Sequence, residues 1–220
     1  MKRILVVAPH PDDETLGCAG TLLRHKGEGD QVDWVIVTEM KNGFSFERIQ
    51  RRDREIKRAA ASYRFNAVHR LGFPAAGLDS VPRTKLIEAL SDTFRKTSSE
   101  VVYLPFRGDV HTDHGAVFEA AISASKWFRS PKIKQIFSYE TLSETEFSLS
   151  PRFRGFRPNV FIDIRRYLDK KLRIMKIYSG ESAAFPFPRS EKAIRALAAL
   201  RGSSAWFQAA EAFMLLKESK

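Results

Sequence analysis

Apolar positions along the chain follow two alternating patterns. Short runs rich in branched residues are separated by longer stretches in which apolar residues recur every three or four positions. Arg3 to Ala8, centred on Ile4-Leu5-Val6-Val7, predicts a buried strand, and Glu14 to Lys26 a helix stopped by Gly27 and Gly29. Gln31 to Thr38 predicts a second strand, followed by an irregular stretch with Asn42-Gly43 as its turn signal. Phe46 to Tyr63 is a charged helix whose inner face is Ile49, Ile56, Ala59, Ala60 and Tyr63. Ala67 to Leu71 is a third strand, with a Gly-Pro loop to Pro82. Arg83 to Thr97 is a helix with the stripe Leu86, Ile87, Leu90 and Phe94. Val101 to Leu104 is a fourth strand, Gly115 to Phe128 a helix and Lys132 to Tyr139 a fifth strand.

This regular alternation predicts an α/β fold: a Rossmann-like, three-layer sandwich with a mostly parallel sheet and helices on both faces. After the fifth strand the pattern loosens. Thr141 to Pro158 is polar, rich in Arg, Ser and Phe, and reads as a long excursion or active-site loop. Asn159 to Ile164 predicts another strand and Tyr167 to Tyr178 a basic amphipathic helix. Beyond the break at Phe185-Pro186-Phe187-Pro188, two short helices are expected, Glu191 to Leu200 and Ser204 to Glu218. No internal repeat, low-complexity tract or convincing boundary divides the chain, so residues 1–220 are expected to form a single domain.

Composition narrows the class. With 43% hydrophobic and 29% charged residues the chain can bury a sizeable core. No apolar run approaches the ~18–20 residues of a membrane span. Pro9-His10-Pro11-Asp12 interrupts any leader-peptide reading, and a cytoplasmic protein is expected. Cys18 is the only cysteine, so intramolecular disulfides and multi-thiolate metal sites are excluded. Any metal is expected to be held by His, Asp or Glu. The net charge of +11 is spread over Arg48–Arg58, Arg152–Arg157, Arg165–Arg173 and Arg189–Arg201, with no nucleic-acid motif beside it. Solvated helix faces account for most of it, and an anionic substrate or polyanionic partner is the alternative. The oligomeric state is not readable.

Two clusters carry the chemistry. His10-Pro11-Asp12-Asp13 follows the first strand, and His111-Thr112-Asp113-His114 follows the fourth. In the common strand order these strands are neighbours at the switch point, where α/β sheets bind ligands. Each cluster alone has a plain explanation, because acidic residues complement a helix N-terminus. Two of them, both at strand-to-helix turns, point instead to a metal site. His10, Asp13 and His114 offer two nitrogens and a carboxylate, a set that leaves room for water on zinc. Fe(II), Co(II) or Mn(II) also suit it. A neighbouring carboxylate, Asp12 or Asp13, can take a proton from the water and return it to a leaving amine; the pattern leaves open which. His111 can stabilise an oxyanion if protonated, with Asp109 and Asp113 raising its pKa or orienting a ring. His25 and His69 are expected to be packing residues, Cys18 a small core residue, and Arg52 with Glu55 a surface pair.

Pro9-His10-Pro11-Asp12-Asp13-Glu14 after an apolar strand, together with His111-Thr112-Asp113-His114, resembles the zinc-dependent de-N-acetylase family, the PIG-L and LmbE-like proteins. Arg52-x-x-Glu55 with Ala59 and Ala60, and Ala210-Glu211-Ala212-Phe213, also fit. The resemblance implies zinc on His10, Asp13 and His114, Asp12 as general base and then acid, and His111 on the oxyanion. It places Arg52 near the substrate pocket. The implied reaction is hydrolysis of an N-acetyl group from an N-acetylglucosamine-type conjugate, a small-molecule substrate. The loop after the second strand departs from the family, since Thr38-Glu39-Met40-Lys41 precedes Asn42-Gly43 where a Gly is usual. Arg152, Arg154 and Arg157 are candidates to meet a phosphate or nucleotide on the substrate. Two other functions compete: a zinc amidase cutting a larger amide of a sugar-thiol conjugate, and a nucleotide- or nucleic-acid-binding Rossmann module. The second lacks the Gly-rich turn that a pyrophosphate needs, and an acidic turn would repel phosphate.

Overall fold

The computed structural model describes residues 1–41, 43–149 and 155–220. Its centre is a seven-stranded sheet. The strands are β1 (Arg3–Ala8), β2 (Gln31–Glu39), β3 (Ala67–Pro74), β4 (Val101–Pro105), β5 (Gln135–Tyr139), β6 (Val160–Asp163) and β7 (Ala210–Glu218). The helices are α1 (Asp13–Gly27), α2 (Phe46–Tyr63), α3 (Arg83–Thr97), α4 (Thr112–Ala124), α5 (Leu168–Met175) and α6 (Glu191–Ser203). Strand order is β3-β2-β1-β4-β5-β7-β6. The first five run parallel, and β7 lies antiparallel between β5 and β6.

The period-2 pattern of β1 explains the layers. Ile4, Val6 and Ala8 pack with α1, α2 and α5 on one face, while Leu5 and Val7 pack with α3 and α4 on the other. The order reverses between β1 and β4. The chain leaves β1 toward β2 and returns at β4, so the two following turns flank one crevice. Among the described residues no helix is long and apolar enough to cross a membrane.

The last predicted helix is a strand. Residues 210–218, Ala-Glu-Ala-Phe-Met-Leu-Leu-Lys-Glu, are mostly strong helix formers, yet they form β7. The sheet outweighs local propensity here, because Ala210 to Phe213 are buried and pair with β6, while the strand from Phe213 onward pairs with β5.

Glu211 has a second task. Helix α1 is broken at Cys18, whose φ of −141° is non-helical. The break leaves backbone groups to be satisfied by side chains. Glu211 accepts from the Gly20 and Thr21 amides at 2.9 and 2.8 Å and from the Thr21 hydroxyl at 2.7 Å. Lys171 donates to the Leu16 carbonyl at 2.8 Å and to Glu211 at 2.7 Å. Gly17 lets this segment lie against Tyr139; a Cβ there would meet the Tyr139 ring at 2.3 Å. The Tyr139 hydroxyl in turn donates to the Val7 carbonyl at 2.9 Å. The N-terminal turn of α1 is thereby set against β1 and β5.

Candidate active site

Both His-Asp clusters lie at the carboxyl edge of the sheet, as their positions after β1 and β4 require. Helix α4 starts at Thr112, three residues earlier than its pattern suggests, so His114 stands in the helix's first turn. His10 Nδ1 and His114 Nε2 each lie 3.4 Å from one oxygen, Asp13 Oδ2. The three donor atoms offered by His10, Asp13 and His114 are all within 4.8 Å of one another.

The other nitrogen of each ring is held from behind. His10 Nε2 meets Asp113 Oδ2 at 2.9 Å, and His114 Nδ1 meets Asp109 Oδ2 at 2.8 Å. Asp113 also accepts from the Ala76 and Leu78 amides, and Asp109 from the Thr145 hydroxyl. A carboxylate behind each imidazole fixes its tautomer and aims the free nitrogen, the arrangement usual for metal-ligating histidines. Asp109 and Asp113 therefore each orient a ring, but the rings are His114 and His10, and they do not raise the pKa of His111 above its usual value. His111 Nδ1 accepts from the Asp113 amide at 3.2 Å, which leaves the ring proton on Nε2.

A further group, His25, Glu28 and Asp30, also brings its donor atoms together. Both His25 nitrogens are used there, on Asp30 at 2.8 Å and the Tyr103 hydroxyl at 3.0 Å. His69 pairs with Asp33 at 3.3 Å. Both histidines are packing residues, as expected.

Burial favours neutral side chains, and the charges in the cleft work against it. For Asp13, burial pushes the pKa up, but the facing His114 and bonds from His10 and His114 hold it well below the usual range. Burial lowers His10, but its bonds to Asp113 and Asp13 prevail and raise it to about 9. His114 is likewise raised, burial being overcome by Asp13 and Asp109. Burial and the Asp13 charge push Asp12 well above the usual carboxylate range, with Arg189 opposing. Burial and the neighbouring His10 keep His111 below the usual imidazole value. The carboxylates thus create a potential in which positive charge is stable at the point where the three donors converge. A divalent cation suits that point, replacing two ring protons.

Asp12 is strained and tethered. Its φ is 138°, an uncommon conformation for a side-chain-bearing residue, and its amide donates to Glu14 at 3.0 Å. Arg189 Nη1 reaches its Oδ2 at 2.9 Å. Arg189 comes from the segment between α5 and α6 and also meets Glu144 at 3.1 Å, Glu181 at 3.5 Å and the Ser143 hydroxyl at 2.6 Å. Arg52 does line the cleft, yet it is already engaged, donating to the Pro11 carbonyl at 3.0 Å and to Glu181. Glu55 accepts from the amide and hydroxyl of Ser179, tying down the same segment. The pair expected at the surface, Arg52 and Glu55, is buried.

Arg189, Glu181 and Glu144 are the residues that spacing does not reveal. Arg189 follows a Pro-Phe break, 177 positions from Asp12, inside what reads as a surface charge run. The excursion after β5 does reach the site, through Glu144 and Thr145. Arg157 is exposed and lies away from the cleft, while Asn42, Arg152 and Arg154 fall outside the described residues. The cleft itself encloses about 250 Å³, bordered by the β1 turn, the loop after β2, α2, His111 and the 179–190 segment.

Comparison with known proteins places the chain by family and fold. Residues 5–125 match the family model described as PIG-L, GlcNAc-PI de-N-acetylase. The chain is 24% identical to the diacetylchitobiose deacetylase of Thermococcus kodakarensis over 96% of its own length and 82% of the relative's. It is 30% identical to the uncharacterised deacetylase YaiS of Escherichia coli, over 80% of this chain and 89% of that one. Its fold superposes on the conserved protein TT1542 of Thermus thermophilus with a TM-score of 0.80, at 26% identity, covering 100% of this chain and 97% of the other.

Proposed function

The chain belongs to the PIG-L family of GlcNAc-PI de-N-acetylases, and from that premise we propose that it is a metal-dependent hydrolase cutting the N-acetyl group from an N-acetylglucosamine-type conjugate. The observation that carries the proposal is the convergence of His10 Nδ1, His114 Nε2 and Asp13 Oδ2, with a second buried carboxylate, Asp12, beside them. The reading takes the whole chain as one catalytic domain, since the strands beyond the matched residues complete the same sheet.

His10, Asp13 and His114 would hold the metal, for which zinc fits the two-imidazole, one-carboxylate set and Fe(II) is an alternative. When bound, such an ion supplies Lewis acidity and lowers the pKa of a water toward ~7. The protein groups do the rest. Asp12 accepts a proton from the attacking water while Arg189 holds its Oδ2. His111 donates its Nε2 proton as a hydrogen bond to the developing oxyanion, and it does so while neutral. Asp12 then delivers its proton to the departing nitrogen, so one amide and one water give acetate and a free amine. Arg52 braces the turn through the Pro11 carbonyl, which makes it a positioning residue.

The test is acetate release from a panel of N-acetylated amino-sugar conjugates, with and without chelator. Metal-dependent acetate is the expected product. Release of a larger acid would reassign the protein as an amidase, and turnover untouched by metal removal would end the metal reading. Metal analysis of His114→Ala completes it: loss of about one divalent ion per chain is expected.

A further inference from the structure

Four arginines line the cleft: Arg48, Arg52, Arg70 and Arg189. Three are committed to carboxylates. Arg52 is paired with Glu181 and faces Glu55 at 3.5 Å. Arg70 joins Glu39 at 2.6 Å and Asp53 at 2.9 Å, and Arg189 spans Asp12, Glu144 and Glu181. Arg48 differs. Among the described residues it has no carboxylate partner, and its guanidinium rests over the Phe44 ring, 5.2 Å from the centroid. A guanidinium stacked on an aromatic face is held in place while its N–H edge stays free, and that planar fork matches a carboxylate or phosphate.

Its position matters as much as its charge. Arg52 meets the Pro11 carbonyl, so that level of α2 lies beside the turn that carries Asp12. Arg48 is four residues nearer the helix start, about 6 Å along the axis. That is close to the width of one sugar ring. Met40, Phe44 and Ile49 line the same end of the cleft. Ser45 caps α2 by accepting from the Arg48 amide, so the positive end of an 18-residue helix adds to the local potential. Glu47, the one acidic residue of that first turn, is exposed and does not line the cleft.

We propose that Arg48, seated on Phe44, binds an oxyanion on the aglycone of the amino-sugar substrate, one sugar ring from the amide that is cut. The oxyanion is a carboxylate or a phosphate, and the subsite rests on the deacetylase reading above. It makes the enzyme selective for anionic conjugates over neutral ones, and the selectivity resides in KM.

Three N-acetylglucosamine derivatives test it: the 1-phosphate, the carboxymethyl glycoside and the neutral methyl glycoside. Wild-type protein should favour at least one anionic compound over the methyl glycoside about tenfold in kcat/KM, less so as salt rises. In Arg48→Gln the ratio should fall to near one, and Arg48→Lys should keep part of it, because the charge remains but the fork does not. The stronger of the two anions identifies the ligand as phosphate or carboxylate. A ratio that survives Arg48→Gln, or a wild-type ratio near one, overturns the subsite and leaves the deacetylase intact. Absence of acetate from all three would count against the deacetylase reading instead. Equilibrium binding of the same compounds to both proteins then decides the subsite: Arg48-dependent preference for the anions supports it, and equal affinities overturn it.

Discussion

Two buried carboxylates, Asp12 and Glu211, are both paired with a cation and put to opposite uses. Glu211 accepts four hydrogen bonds, two from backbone amides stranded by the break in α1, one from Thr21 and one from Lys171. Nothing is left over for a ligand. Asp12 has one oxygen on Arg189 and, among the described residues, no bond to the other. It also has a strained backbone and sits at the cleft. A saturated buried carboxylate holds the fold together, whereas one with a free oxygen in a cleft can exchange a proton.

The sharpest way to break this contrast is to neutralise each in turn. Asp12→Asn should lower kcat by about 10²–10⁴-fold, the usual range for a general base, with bound metal retained and the melting temperature little changed. Full activity in that variant would remove Asp12 as the base. Glu211→Ala should do the reverse, costing about 3–5 kcal/mol of stability because Lys171 and two amides lose their acceptor. Urea unfolding reads that loss. Lys171→Met with Glu211→Leu should recover only part of it. An apolar pair removes the orphaned charge, but the Gly20 and Thr21 amides remain unsatisfied at about 1–3 kcal/mol each. Full recovery would show that the amides do not need Glu211.

Arg189 offers a smaller and more specific perturbation. Asp12 is raised by burial and by the Asp13 charge, and Glu181 adds to this, while Arg189 and Arg52 oppose it. As the proposed base, Asp12 would work ionised. Removing the nearest cation raises its pKa further, so the acid limb of kcat/KM should move to higher pH in Arg189→Met. Arg189→Lys should restore part of the shift. An unmoved limb would make the ion pair a tether for the 179–190 segment and nothing more.

The proposed metal donors are legible in the sequence because each cluster is local: His10 to Asp13 and Asp109 to His114 occupy single strand-to-helix turns, and the βα order makes those turns neighbours. Their supports are only half legible. Asp109 and Asp113 stand out as partners for a ring, but which ring depends on how α4 starts, and it starts earlier than Gly115. Glu181 and Arg189 cannot be read at all, since an ion pair across such a separation is a property of the packed chain. Residues 210–218 read as a helix for a related reason. Their side chains favour one, and the sheet partners that overrule them lie elsewhere in the sequence.

The mildest comparison uses one kind of bond in both settings. The Thr145 hydroxyl donates to Asp109 at 2.6 Å, and the Thr21 hydroxyl donates to Glu211 at 2.7 Å. Valine at either position removes the hydroxyl and keeps the shape. In Thr21→Val, Glu211 retains three other donors, so the loss should be about 1 kcal/mol of stability with metal affinity untouched. In Thr145→Val, Asp109 keeps only His114 among the described residues, and burial already raises its carboxyl above the usual value. With its hydroxyl gone Asp109 holds its proton more readily, and its grip on His114 Nδ1 weakens. Metal affinity should therefore fall by up to about tenfold, the lower end for groups behind a ligand. Competition against a chelator of known affinity measures it. Equal metal affinity in the two variants would mean that the carboxylate behind His114 is as inert as the one clamping α1, and the distinction between the two regions would then rest on Asp12 alone.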